Sequence, residues 1–203
     1  MKPRFVYLAS QSPRRRQLLE QLGVRHELLL PDEGEDTESL EAVHDGEAPS
    51  AYVRRVTALK REAARERLLR RGLPPAPVLC SDTTVALGDR IYGKPADQQD
   101  AARMLGELAG HTHRVLTAVA VAVADGERTL ETVSESTVSF EPMTRAQIER
   151  YVATGEPLGK AGAYAIQGRA AMHITRIAGS YSGIMGLPMY ETAQLLRAVG
   201  IME

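Results

Sequence analysis

Two side chains of opposite charge flank a short β-rich part of this chain. Asp82 lies in Leu79-Cys80-Ser81-Asp82-Thr83-Thr84-Val85, and Lys94 follows in Ile91-Tyr92-Gly93-Lys94-Pro95. A turn at Gly88-Asp89 between these runs predicts a hairpin, with Asp82 and Lys94 at the ends of its two strands. A carboxylate can hold a divalent cation or take a proton from water, and an ammonium can neutralise a phosphate oxygen. The pair indicates a metal and phosphate site. The alternative is an Asp that forms a turn and a solvated Lys on an edge strand, which give the same sequence pattern.

A second candidate site lies near the start of the chain. An apolar run at residues 5–9 is followed at once by Ser10-Gln11-Ser12-Pro13-Arg14-Arg15-Arg16. Ser12 suits a helix N-cap and Pro13 the first helical position, so a strand, a tight turn and a helix are predicted. A helix N-terminus attracts anions, and hydroxyl and guanidinium groups strengthen that attraction. The side chains that could add to this anion site are Ser10, Ser12, Arg14 and Arg15. The alternative is a capped surface helix with solvated arginines, and the motif is not a Walker loop.

The elements that must position these residues follow from apolar spacing and from Gly and Pro punctuation. Helices are predicted at residues 12–23, 50–70, 97–110 and 144–155, and after Pro188. Strands are predicted at residues 5–9, 24–30, 78–87, 91–92, 113–124, 130–140 and 171–177. A turn at Asp125-Gly126 predicts a second hairpin, residues 31–36 form an acidic loop, and residues 179–183 form a turn. Residues 155–168 are rich in glycine without being low-complexity, which favours a structured loop.

Helices and strands alternate early in the chain, and adjacent strands follow later. This order predicts an α/β protein with a mixed central β-sheet flanked by helices, with the site at strand ends. The 203 residues, 43% of them hydrophobic, are enough for one domain spanning residues 1–203. The single cysteine, Cys80, rules out a disulfide within the chain and favours a small core residue. His111 and His113 are too sparse to be a metal site by themselves.

Composition also limits the partners. A net charge of −1 argues against a sequence-independent nucleic-acid binder, so phosphate recognition must be local. No run approaches the roughly 20 apolar residues of a membrane helix, and the first residues do not resemble a signal peptide. We therefore expect no nucleic-acid partner, no membrane partner and a cytoplasmic location.

Several motifs, in order along nearly the whole chain, resemble the Maf family of nucleoside triphosphate pyrophosphatases. They are Leu8-Ala9-Ser10-Gln11-Ser12-Pro13-Arg14-Arg15, Ser81-Asp82-Thr83-Thr84-Val85, Gly93-Lys94-Pro95, Gly110-His111-Thr112-His113, Lys160-Ala161-Gly162-Ala163-Tyr164-Ala165-Ile166-Gln167-Gly168 and Gly186-Leu187-Pro188. The resemblance implies a fold similar to that of the inosine triphosphatases, an elongated two-lobed unit with a cleft. It also implies a homodimer.

The same resemblance implies an activity. Cleavage between the α- and β-phosphates of a nucleoside triphosphate would give the monophosphate and pyrophosphate, with Mg²⁺ as cofactor and Mn²⁺ as the alternative ion. The amino-acid sequence of two segments resembles that of the branch that acts on dTTP and UTP. These segments are Ala163-Tyr164-Ala165-Ile166-Gln167-Gly168 and Gly179-Ser180-Tyr181. Modified pyrimidine nucleotides are further candidate substrates.

The resemblance also assigns roles by position. Asp82 matches the essential acid, and Glu35 matches a glutamate that helps hold the metal, with Glu33 as the alternative in a shifted register. Residues matched to the substrate are Ser10, Ser12, Arg14, Arg15, Lys60, Thr83, Lys94 and Gln167. An acid often precedes the loop lysine in this branch, whereas this chain has Gly159, and the role of Lys160 is left open.

Two other functions fit the same residues. A nucleotidyltransferase would use a similar basic turn over a triphosphate but would need a second substrate. A nucleotide-binding regulator of cell division would bind without turnover, yet a binder gains little from acids placed beside a polyanion. The hydrolase is the favoured interpretation.

Overall fold

A seven-stranded mixed sheet forms the centre of the protein, in a computed structural model that describes residues 5–37, 39–123 and 128–203. The strands are β1 (Val6–Leu8), β2 (His26–Leu28), β3 (Val78–Leu87), β4 (Arg90–Tyr92), β5 (Thr112–Ala122), β6 (Thr129–Phe140) and β7 (Ile174–Ala178). The helices are α1 (Pro13–Gln21), α2 (Pro49–Arg70), α3 (Gln98–Leu108), α4 (Arg145–Val152), α5 (Tyr181–Met185) and α6 (Met189–Ala198). The predicted turn at Asp125-Gly126 lies outside the described residues.

The strand order is β2-β1-β3-β5-β6-β7, and β4 pairs with β3. The pairs of β1 with β2 and with β3 are parallel, and the others are antiparallel. The expected α/β class with a mixed central sheet is therefore confirmed. In the part of the chain that is described, no helix is long and apolar enough to cross a membrane.

One edge of β3 is covered only in part. Along its other edge β3 pairs with β5 from Val78 to Ala86. On the near edge, β1 reaches only Val78 and Leu79, and β4 covers only Val85 to Leu87. Because no described strand pairs with residues 80–84 on that side, the sheet has a gap there. Residues in the gap are held firmly by β5 yet can face a ligand.

The gap corrects the predicted position of Asp82. The sequence placed Asp82 at the end of a strand, but it lies in the middle of β3, opposite Ala118 of β5. Lys94 follows β4 by two residues, close to its predicted place. The near edge of β3 is nevertheless uncovered at Asp82, as it would be at a strand end, because β1 stops before reaching it.

Helices cover both faces of the sheet around this gap. On one face, Tyr52, Val53 and Val56 of α2 pack against sheet residues that include Leu116 and Ala118. On the other face, residues of α1 and α6 pack against β1, β3 and β5 in a core that includes Leu18, Leu19, Leu79, Val119 and Leu196. The apolar spacing predicted α1, α2 and α6. Leu59 continues the helical spacing of Tyr52 and Val56 in α2 but is 39% exposed. The two layers hold α1 and α2 on opposite sides of the gap.

The C-terminal part departs from prediction in two places. The predicted strand at residues 171–177 begins late, because Arg169–His173 forms a 3₁₀ helix before β7. The predicted turn at residues 179–183 contains the start of α5. Ser180 caps this short helix by accepting a hydrogen bond from the Gly183 backbone N at 3.0 Å. Serine in a glycine-rich run suits a turn and a helix cap equally well, so the sequence did not separate them.

Candidate active site

A cavity of about 450 Å³ opens at the gap in the sheet. Its walls come from the turn before α1, from α2, from β3, from the segment after β4 and from the loop at residues 159–164. The predicted site residues that line it are Ser10, Ser12, Arg14, Arg15, Lys60, Asp82, Thr83 and Lys94. Glu35 and Gln167 are not among its lining residues. Segments far apart in the sequence thus meet around one space.

The turn before α1 has the form expected of an anion site. Ser12 is the N-cap, and its Oγ accepts a hydrogen bond from the Arg15 backbone N at 3.5 Å. The Ser12 backbone N donates to Ser10 Oγ at 3.2 Å, and Pro13 begins the helix. The positive end of the α1 dipole therefore faces the cavity, where it favours a negative charge.

Arg14 and Arg15 have different surroundings. Arg15 Nε donates to the Gly186 carbonyl oxygen at 2.8 Å, and its two Nη atoms contact Ser10 Oγ at 3.4 Å and Thr83 Oγ1 at 3.3 Å. Burial lowers the pKa of Arg15, against the opposing effect of Asp82. Arg14 is partly buried, its side chain has no hydrogen bond or ion pair within the described residues, and burial lowers its pKa as well. Arg15 therefore fastens three segments together, whereas Arg14 is free to meet a ligand.

Four charged side chains alternate in sign along one wall of the cavity. Lys60 Nζ lies 2.5 Å from Asp82 Oδ1 and 2.7 Å from Glu41 Oε1. Lys94 Nζ contacts the two carboxylate oxygens of Glu41 at 2.8 and 3.0 Å. Burial raises the pKa of Glu41, but Lys60 and Lys94 lower it more, so the net shift is downward. The order is Lys94, Glu41, Lys60, Asp82, and sequence reasoning missed Glu41.

Glu35 lies in a different cluster. Its carboxylate accepts hydrogen bonds from Arg67, with Nε at 3.0 Å and Nη2 closer, and from the Asp32 backbone N at 3.1 Å. Arg67 is 3% exposed and also donates to the Leu29 carbonyl oxygen at 2.9 Å. The structure does not bring Glu35 next to Asp82, and the alternative, Glu33, is exposed. Within the described residues, Glu41 is the glutamate that lines the cavity with Asp82, whereas Glu35 pairs with Arg67.

Two acids of this wall, Asp82 and Glu41, are the candidate ligands for a divalent cation. Asp82 and Glu41 both contact the Lys60 ammonium, so the space between their carboxylates already suits a positive charge. No group of three or more His, Cys, Asp or Glu residues that could hold a metal occurs in residues 5–37, 39–123 and 128–203. Mg²⁺ usually keeps several waters and takes one or two carboxylates together with substrate phosphates. The two acids therefore fit an ion that arrives with a polyphosphate.

Two further residues named in the sequence analysis, Gln167 and His113, do not line the cavity. Gln167 is exposed and lies away from the cavity wall. His113 is buried beneath the cavity, where its Nε2 lies 2.8 Å from the hydroxyl of Tyr164, a wall residue. Burial lowers the pKa of His113 to about 4, so the ring is neutral near pH 7. His113 supports the wall and does not form a metal site with His111.

A polar chain fixes the hydroxyl of Thr83. Thr83 Oγ1 lies 3.3 Å from Arg15 Nη2 and 2.9 Å from Thr117 Oγ1. Thr117 donates to the Gly183 carbonyl oxygen at 2.7 Å. Because a carbonyl only accepts, that bond uses the single hydroxyl hydrogen of Thr117, and Thr83 must donate to Thr117. Thr83 therefore accepts from Arg15, and its hydrogen points away from the cavity.

We expect Thr117→Val to disturb this chain without changing the shape of the core. The variant leaves Thr83 without its acceptor and removes one of the two hydrogen bonds to the Gly183 carbonyl, which keeps the bond from the Gly186 backbone N at 2.9 Å. The unpaired Thr83 donor should lower the unfolding free energy by about 1–3 kcal/mol. It should also lower kcat/KM by about tenfold, equal to ~1.4 kcal/mol. Steady-state kinetics and urea unfolding measure the two effects.

Thr192→Val is the matched control for this variant. Thr192 is fully buried, and its hydroxyl has no partner in the described part of the chain. The Thr192→Val variant should therefore keep the wild-type kcat/KM and unfolding free energy. Thr117→Ser should recover most of the kcat/KM and of the unfolding free energy that Thr117→Val loses. Unchanged kcat/KM in Thr117→Val would show that the chain does not position the site.

Comparisons with known proteins agree with the motifs. A family model described as Maf-like protein matches residues 5–199. A protein of Polaromonas sp. named dTTP/UTP pyrophosphatase is 67% identical over 197 residues, covering 97% of this chain and 96% of that protein. One of Albidiferax ferrireducens with the same name is 66% identical over 196 residues, covering 97% of both chains. The structure of the Staphylococcus aureus Ham1 protein is 13% identical with a TM-score of 0.43, covering 66% of this chain and 71% of that one. At this TM-score, we draw no conclusion from the last likeness.

Proposed function

Since the chain belongs to the Maf-like protein family, we propose that it hydrolyses nucleoside triphosphates to the monophosphate and pyrophosphate, with dTTP and UTP as its substrates. The observation that carries this proposal is one cavity that joins a helix N-terminus, unpaired cationic groups and a lysine-bridged pair of acids. A polyphosphate needs the first two features, and hydrolysis needs the third. The name of the relatives, dTTP/UTP pyrophosphatase, supports the choice of substrates.

The reacting phosphate would lie at Asp82. The side chain of Asp82 is 9% exposed, and the residue is fixed in the middle of β3 and lines the cavity at the gap in the sheet. A fixed carboxylate can take the proton of an attacking water or help to hold a metal, and the proposal includes both roles. Lys60, which contacts Asp82, would stabilise the charge that develops on the phosphate oxygens during attack.

Mg²⁺ is the proposed cofactor, with Mn²⁺ as the alternative ion. Asp82 and Glu41 would hold it, and each would then release the Lys60 ammonium that now lies between them. When bound, the ion neutralises phosphate charge and lowers the pKa of a bound water. Lys60, once released, would be free to turn toward the substrate.

We also propose that residues 1–203 form one nucleotide pyrophosphatase domain and that the protein is a cytoplasmic homodimer. Modified pyrimidine nucleotides are proposed as further substrates.

A product analysis tests the proposed function. The pure protein is incubated with Mg²⁺ and a panel of nucleoside triphosphates, and the products are separated by ion-exchange chromatography. Monophosphate and pyrophosphate from dTTP and UTP, with slower turnover of purine nucleotides, are the expected result. Diphosphate and phosphate would overturn the assigned bond. Binding without cleavage would favour the regulator, and pyrophosphate release only with an added acceptor would favour the transferase.

A further inference from the structure

Lysine is rare in this chain, and the described lysines gather at one place. The sequence has four lysines and 21 arginines. Lys2 lies outside the described residues, and the other three lysines line the cavity, as do only three of the arginines. These cationic lining residues are Lys60, Lys94, Lys160, Arg14, Arg15 and Arg67. Among the described lysines and arginines, those that do not line the cavity are all arginines, which sets Lys160 apart from the surface cations of this part of the chain.

The cavity lysines differ in how their charge is balanced. Lys60 and Lys94 are paired with carboxylates. The single polar contact of Lys160 Nζ among the described residues is the Leu158 carbonyl oxygen at 3.2 Å. Burial lowers the pKa of Lys160, and the neighbouring Arg14 lowers it further, against a smaller opposing effect of Glu156. Arg14 and Lys160 are thus two neighbouring, partly buried cations without an ion-pair partner, and an anion between them would relieve their repulsion.

The backbone holds Lys160 in this position. Gly162 N donates to the Gly93 carbonyl oxygen at 3.0 Å, which ties the Lys160 loop to the segment that carries Lys94. Earlier in the loop, the Glu156 carboxylate accepts from the Tyr151 hydroxyl at 2.8 Å and from the Arg169 backbone N at 3.1 Å. Only the flexible side chain of Lys160 has to move in order to reach a ligand, which keeps the ordering cost of binding low.

We propose that Lys160 binds the β- and γ-phosphates of the substrate together with Arg14, which the family resemblance already assigns to the substrate. This inference rests on the proposed function, because it takes the α-phosphate to face Asp82. The remaining two phosphates then need positive charge that no carboxylate already neutralises. Within the described residues, the cavity cations that lack a hydrogen bond to a side chain are Arg14 and Lys160. A compact ammonium suits the end of a polyphosphate, which it meets as a point charge.

The test measures binding of inorganic tripolyphosphate and of dTMP by isothermal titration calorimetry, so it does not require turnover. Lys160→Met keeps most of the stem and removes the charge, and Lys160→Arg keeps the charge. We expect Lys160→Met to raise the Kd of tripolyphosphate about tenfold and to leave the Kd of dTMP unchanged. Lys160→Arg should bind tripolyphosphate within about threefold of the wild type. The KM for dTTP should rise with the Kd of tripolyphosphate.

Arg169→Gln is the control. It removes an exposed cation that follows the same loop but does not line the cavity, and it should change neither Kd. The inference is overturned if Lys160→Met binds tripolyphosphate like the wild type, or if it loses affinity for dTMP by the same factor. Failure of the proposed function is separate. If the proposed function is wrong, the wild-type protein releases no monophosphate from any triphosphate, even though Lys160→Met shows that Lys160 binds tripolyphosphate.

Discussion

Asp82→Asn should abolish turnover while leaving the fold intact. The amide has the same shape as the carboxylate but cannot take a proton from water and is a poor ligand for a hard cation. Removal of a general base typically costs 10²–10⁴ in rate, and loss of a metal ligand adds to this, so we expect kcat to fall by at least about 1,000-fold. The KM for dTTP should change much less, because Arg14 and the α1 N-terminus are untouched. Steady-state assays of monophosphate release measure both constants.

Asp89→Asn provides the control for that variant. Asp89 is an exposed acid in the turn of the same hairpin, and its side chain does not line the cavity. It should retain wild-type kcat and wild-type thermal stability. If Asp82→Asn kept near-normal turnover with an unchanged far-UV spectrum, the reacting phosphate would have to lie elsewhere.

Glu41→Gln and Glu35→Gln should give opposite results, and together they decide which glutamate serves the reaction. Glu41 contacts Lys60 and Lys94, and Lys60 also contacts Asp82, so the neutral variant of Glu41 should lose about 100-fold in kcat, equal to ~2.7 kcal/mol. Glu35 balances the buried Arg67, so its variant should lose about 1–3 kcal/mol of stability while kcat changes by less than about threefold.

Metal binding separates the same two variants without an activity assay. Mn²⁺ binding in the presence of tripolyphosphate is followed by electron paramagnetic resonance of the free ion. We expect a weaker apparent affinity for Mn²⁺ in Glu41→Gln and wild-type affinity in Glu35→Gln. The reverse pattern would restore Glu35 as the metal ligand and would limit Glu41 to holding the lysines.

Local features were predictable from the sequence because neighbouring residues determine them. Ser12 and Pro13 specify a capped helix start directly after an apolar strand, and the anion site follows from that geometry. The turn at Gly88-Asp89 likewise set the hairpin that carries Asp82. Lys60 lies in the helix predicted at residues 50–70, four residues after Val56, so helical spacing places it at the border of the apolar face of α2.

The position of Glu41 at the cavity depends on tertiary contacts and could not be predicted in the same way. Glu41 ends a short 3₁₀ turn without apolar periodicity, and the Tyr52 hydroxyl holds it by donating to its backbone carbonyl at 3.0 Å. The loop before it offers several acids, and no local rule says which one meets Arg67 instead of the cavity. The mid-strand position of Asp82 was also hidden, because it depends on where β1 stops.

Hydrolysis of dTTP in ¹⁸O-labelled water tests the central claim most directly. If water attacks the α-phosphate at Asp82, the bond that breaks joins the α-phosphorus to the bridging oxygen of the leaving pyrophosphate. Mass spectrometry should then find one ¹⁸O atom in dTMP and none in pyrophosphate after a single turnover. Label in pyrophosphate, with dTMP unlabelled, would mean that water attacks the β-phosphorus and would contradict the placement of the α-phosphate at Asp82.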